Sequence, residues 1–89
     1  MSASSDLVAE AQVVLPADLH ARPAGKVTSL AATFDAEIEL AAGARTAAAQ
    51  SVLAVMGLGA LAGQTLVVRA RGAQALEAVA AVSAALGET

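Results

Sequence analysis

Apolar and polar residues alternate along three stretches of the chain, and two other stretches repeat apolar residues every three or four positions. From Leu7 to Leu15 the odd positions carry Leu7, Ala9, Ala11, Val13 and Leu15, with Glu10 and Gln12 between them. A period of two predicts a strand with one buried face. Asp35 to Leu40 alternates in the same way, with Ala36, Ile38 and Leu40 set against Asp35, Glu37 and Glu39. Thr65 to Ala70 does so again, with Leu66, Val68 and Ala70 on one side and Arg69 on the other. Arg45 to Ala49 is ambiguous, since its alanines favour helix on propensity alone; in the element order it is placed as a strand.

The helical spacings follow. Ala24, Val27, Leu30, Ala31 and Phe34 form one stripe. Pro23 lacks an N–H and is tolerated only in a first turn, so this helix must begin at about His20 or Ala21. Ser51 is placed to cap a short helix, Val52 to Met56, closed by Gly57. The last helix carries Leu76, Val79, Ala80, Ser83 and Leu86 on its stripe. Gly43 and Gly72 read as turns. The predicted order is strand, helix, strand, strand, short helix, strand, helix. One-sided strands mixed with helices predict an α+β sandwich, with helices covering one face of an antiparallel sheet.

The chain has 89 residues, enough for one small domain with a modest core and little room for an enclosed catalytic pocket. A single domain over residues 1–89 is expected, ordered from about 7 to 87. Of all residues 57% are apolar, but about half of those are alanine. The longest apolar run, Val52 to Gly63, is well short of the roughly 20 residues that a bilayer span needs. Met1 to Glu10 carry neither a basic start nor an apolar signal core, so a cytoplasmic protein is expected. Without cysteine and with one histidine, disulfides are excluded and a zinc site is not expected. A net charge of −3, one Phe and no Trp or Tyr argue against nucleic-acid binding. The glycine-rich Gly57 to Gly63 lacks the Lys-Ser/Thr ending of a phosphate loop and follows a helix, so it reads as turn and cap.

The chemistry centres on Leu19-His20-Ala21-Arg22-Pro23-Ala24. This segment sets the only histidine at the N-terminal edge of a helix. The first N–H groups of a helix have no intrahelical acceptor and lie at the positive end of its dipole, which makes that end an anion site. Arg22 adds a fixed charge. A neutral imidazole ring is a nucleophile, and an imidazolium is not. A nucleophile beside anion-holding groups suits phosphoryl transfer, which depends mainly on positioning and charge stabilisation. By position alone, a cap or a solvated side chain is the commoner role of such a histidine. No acid–base pair accompanies it in sequence, and Asp18 is too close along the chain to be assigned as its partner.

The segment resembles the active-site motif of the HPr phosphocarriers of the sugar phosphotransferase system. A second stretch, Ser51-Val52-Leu53-Ala54-Val55-Met56-Gly57-Leu58-Gly59-Ala60, is similar to that family's regulatory-serine segment. The resemblance covers roughly residues 7 to 87. It implies an open-faced β-sandwich of four antiparallel strands with three helices on one face. It implies that His20 is phosphorylated on Nδ1 by the phosphoenolpyruvate-dependent enzyme I and passes the group to an enzyme IIA-type acceptor. Arg22 would neutralise the phosphoryl group, and the backbone amides of Ala21 and Arg22 would cradle it. No cofactor or metal is implied, and a monomer is expected.

Ser51 matches the serine that a dedicated kinase phosphorylates in many Gram-positive relatives, which implies a candidate regulatory site; a plain N-cap is the competing role. Ala48 and Gln50 stand where the family often has Asn and Lys. Val52, Leu53, Val55 and Met56 are apolar around the whole short helix, of which only one stripe can be buried. The rest form an expected docking surface for partners, less basic than in relatives because only Lys26 follows on the first helix. Two alternatives are a dedicated carrier for a phosphotransferase-dependent dihydroxyacetone kinase and a regulatory binding module that carries no phosphate. His20 and Arg22 together argue against the second.

Overall fold

The computed structural model describes residues 7–88. Their order is β1 (Val8–Val14), α1 (Ala21–Ala31), β2 (Glu37–Ala42), β3 (Arg45–Ala48), α2 (Val52–Gly57), β4 (Thr65–Arg71) and α3 (Ala75–Gly87). The strands form one antiparallel sheet in the order β1-β4-β2-β3. This is the expected α+β arrangement, an open-faced sheet with three helices on one side.

Register explains how alternating sequences build a single core. Ala11 pairs with Val68, Val68 with Leu40, and Leu40 with Ala47, so one row of core residues crosses all four strands. A second row joins Ala9, Ala70 and Ile38. Leu40, Leu66 and Val68 are fully buried, each contributing about 1.5–3 kcal/mol. The intervening rows face solvent. There Arg69 donates from Nε to Glu10 at 3.0 Å and from Nη1 to Glu39 at 3.2 Å, bridging three adjacent strands. Those carboxylates, Glu10 foremost, raise the Arg69 pKa above its ordinary value. A charged ladder of this kind lets the sheet leave one face uncovered.

The helices pack against the other face. Buried Ala24, Val27 and Ala31 seat α1. In α3 the buried residues are Ala75, Ala78, Val79, Val82 and Leu86. Of the predicted stripe, Val79 and Leu86 are buried, but Leu76 is 73% exposed and Ala80 is exposed too. Because α3 is apolar on most of its surface, period alone defines its inner face weakly. Ala75, Ala78, Val79, Val82 and Leu86 turn inward, toward the sheet.

The strand limits also moved. β1 begins at Val8, and Leu7 is exposed. β2 starts at Glu37 rather than Asp35 because both backbone groups of Asp35 are taken: its N–H donates to Gln74 Oε1 at 2.7 Å, and its C=O accepts the Gln74 N–H at 3.0 Å. Arg45 to Ala48 forms a strand despite its alanines, since pairing with β2 supplies hydrogen bonds that a free segment lacks. The turn into α3 rests on Gly72, at φ +132°, where an added Cβ would stand 3.1 Å from Ala36 Cα and 3.2 Å from the Asp35 carbonyl oxygen.

Gly72→Ala is therefore expected to lower stability by about 1–3 kcal/mol, the range for a residue held in a forbidden backbone region. Urea unfolding at an unchanged m-value is the measurement. An unshifted midpoint would show that this turn has room to spare.

Candidate functional site

The site grows from a short loop and the first turn of α1. Leu15 and Leu19 are buried and pin the loop to the core. The segment is also stitched to a distant loop. Leu15 N–H donates to the Gln64 carbonyl at 2.9 Å, Gly63 N–H to the Leu15 carbonyl at 2.8 Å, and Leu19 N–H to the Ala60 carbonyl at 3.0 Å. Gly63, at φ +87°, supplies the left-handed backbone that lets the second loop turn back.

Beyond Leu19 the chain turns outward. His20 is the N-cap residue of α1, with extended backbone and no capping hydrogen bond from its side chain. The cap role that its position suggests is thus not used. Its side chain is 78% exposed. Its carbonyl accepts the Ala24 N–H at 3.0 Å, the first bond of the helix. Pro23 has no N–H to offer. The amides of Ala21 and Arg22 therefore point from the helix end without an intrahelical acceptor, and no other backbone or side-chain acceptor takes them among the described residues. Arg22 is exposed, without an ion-pair partner among those residues. No acidic residue occupies the first turn to offset this positive end.

One neighbour escaped the sequence pattern. Asp18 Oδ2 lies 3.7 Å from His20 Nε2. Its Oδ1 accepts the Ala62 N–H at 2.8 Å, and its backbone carbonyl accepts the His20 N–H at 3.0 Å. The tight turn between positions 18 and 20 brings the two side chains to one side, an arrangement that no helix or strand period encodes.

The second predicted segment is divided by burial. Ser51 caps α2, its Oγ accepting the Ala54 N–H at 3.2 Å. Leu53 is 82% and Met56 40% exposed, and Val52 is half-buried. Val55 is fully buried. It holds α2 onto the core and drops out of the docking set, which reduces to Val52, Leu53 and Met56. A two-turn helix has one inward position per turn, and Val55 fills it together with the following Leu58.

Surface depressions lie elsewhere, one on the open sheet face between Glu37, Glu39, Arg69 and Arg71, another beside Phe34 and Gly72; neither includes His20. Among the described residues no group of three or more acidic or histidine side chains could hold a metal ion. No helix among them is long and apolar enough to cross a membrane.

Residues 7–88 match the family model described as the PTS HPr component phosphorylation site. The chain belongs to the HPr phosphocarrier family. It is 38% identical to the phosphocarrier protein HPr of Vibrio cholerae over 72 residues, 79% of this chain and 85% of that protein. It is 41% identical to the phosphocarrier protein NPr of Shewanella violacea over 66 residues, 74% of this chain and 72% of that protein. The crystal structure of an HPr from Bacillus anthracis superposes with a TM-score of 0.84 at 28% identity, covering 91% of this chain and 99% of that one. Membership of this family carries a phosphocarrier role in the phosphotransferase system.

Two substitutions test the division of α2. Val55→Asp is expected to abolish cooperative unfolding, because it places a carboxylate in the core. Leu53→Asp should change stability by no more than about 0.5 kcal/mol, as for other surface substitutions. Thermal and urea unfolding of both would measure this, and equal losses would contradict the burial pattern. Separately, Ser51→Ala should cost about 1 kcal/mol of stability through the lost cap, and Ser51→Asp should retain it. The check is the same unfolding series.

Proposed function

We propose that His20 is the phosphoryl acceptor, that enzyme I supplies the group from phosphoenolpyruvate, and that an enzyme IIA-type protein receives it, in the cytoplasm. The observation that carries this reading is the exposed imidazole at a helix start whose free amides, Ala21 and Arg22, have no acceptor of their own. A ring that serves two partner proteins in turn must be reachable by both, and 78% exposure supports that use.

The chemistry asks little more of the chain. A ring nitrogen lone pair forms the bond to phosphorus as the bond between phosphorus and the donor's leaving group breaks, and that electron pair departs with the donor. The Arg22 guanidinium and the two amides balance the phosphoryl charge through charge-assisted hydrogen bonds. Delivery onward reverses the step with a new acceptor. Val52, Leu53 and Met56 serve as the apolar docking patch, since exposed clusters of this kind mark contact surfaces. Ser51 serves α2 as its cap; a phosphate there would add charge at the edge of the docking patch.

Phosphoenolpyruvate with enzyme I should add one acid-labile phosphate to the wild-type chain and none to His20→Ala, as read by mass before and after acid. Arg22→Ala should keep the site but accept the group about 10- to 150-fold more slowly, from a lost interaction of roughly 1.5–3 kcal/mol felt in the transition state. Leu53→Asp, with its fold intact, should slow acceptance through weaker docking. An acid-stable label, or one persisting in His20→Ala, would instead favour a binding module without carrier chemistry.

A further inference from the structure

Asp18 is tethered in a way that the carrier chemistry so far leaves unused. Its Oδ1 is committed to the Ala62 amide at 2.8 Å. Its carbonyl holds the His20 amide at 3.0 Å, and the next residue, Leu19, is buried and bonded to Ala60. One carboxylate oxygen is thus spent on the far loop, and the other is turned to His20 Nε2 at 3.7 Å.

We propose that Asp18 is a positioning residue that sets the tautomer of His20, keeping the proton on Nε2 and the lone pair on Nδ1. This inference rests on His20 being the phosphoryl acceptor. An ionised carboxylate only accepts hydrogen bonds, so the ring nitrogen facing it is favoured as the N–H. Neutral imidazole has one N–H and one lone pair, so the lone pair falls on Nδ1. The 3.7 Å separation exceeds a formed hydrogen bond. Contacts of catalytic groups are commonly long in the resting protein and tighten when the reacting partner docks.

The tautomer matters in both directions of transfer. When the Nδ1 lone pair forms the bond to phosphorus, the ring keeps its Nε2 proton and gains a positive charge, while the donor leaves with the electron pair of the broken bond. That charge develops opposite Asp18 Oδ2. In the return step the P–N electron pair goes back to Nδ1 and the ring departs as neutral imidazole. No proton has to move in either step. A ring lacking the Nε2 proton would have to leave as imidazolate, a far poorer leaving group.

The anchoring by Ala62 makes the test sharp. In Asp18→Asn the Ala62 N–H still requires an oxygen, so the side-chain amide presents its NH2 group to the ring. That group donates to Nε2 and should drive the proton to Nδ1. In Asp18→Ala neither preference is imposed. With the ring neutral, 15N NMR of the His20 nitrogens should report the Nε2–H tautomer in the wild type, mainly Nδ1–H in Asp18→Asn, and an intermediate ratio in Asp18→Ala. Phosphoryl acceptance should fall roughly 10- to 100-fold in Asp18→Asn, the loss typical of removing the partner that orients a metal-binding histidine, and by less in Asp18→Ala. Equal tautomer populations in the three proteins would overturn the proposal. So would a reversed tautomer with unchanged transfer rates. The NMR readout needs no phosphoryl donor, so it fails or holds independently of the carrier reading, which the His20→Ala labelling decides.

Discussion

Where α1 begins controls everything His20 can do. Leu19 is buried on one side of the junction and Ala24 on the other, so the intervening turn has no choice but to face solvent. Pro23 sits within the first turn, where a missing N–H costs nothing, and it denies the helix an earlier start. Two amides are left over, those of Ala21 and Arg22, on the same outward turn as the ring. A helix starting one turn earlier would spend these donors on its own hydrogen bonds, and one starting a turn later would carry its free amides away from His20. Local backbone geometry, more than any enclosed pocket, therefore makes the anion site proposed at His20.

The loop around residues 60–64 provides the rigidity that an exposed site lacks by itself. Three backbone bonds and the Asp18 side chain join it to the segment before His20, although the two are far apart in sequence. The same loop leaves α2, whose outer face carries Leu53 and Met56. A partner resting on α2 would thus press on the element that holds the loop before His20. On the opposite side of the protein, the Glu10–Arg69–Glu39 bridge ties three strands together and keeps the bare sheet face charged. A charged, solvated face is a poor template for unwanted sheet stacking.

Much of this was legible in the sequence. Period-two alternation around Ile38, Leu40, Leu66 and Val68 located the sheet and its inner face, because a sheet covered on one side can bury only alternate residues. Pro23 located the start of α1, and the motif around His20 pointed to the HPr family. Alternation failed to distinguish the inner face of α3, where nearly every residue is apolar and Leu76 proved to be outside. Arg45 to Ala49 reads as a strand only through the element order, since its alanines by propensity favour helix.

What the sequence determined by itself is the set of local preferences: strand or helix period, the helix start, the single histidine and the cation two residues after it. Only the tertiary structure decided which members of an all-apolar helix stay outside, and it chose Leu53 over Val55 because α2 touches the core along one line. Only the tertiary structure brought the Ala62 amide to the Asp18 carboxylate and turned the other oxygen toward the ring. That arrangement depends on a loop 44 residues away, and no local period can encode a contact whose partners meet only after the sheet has closed.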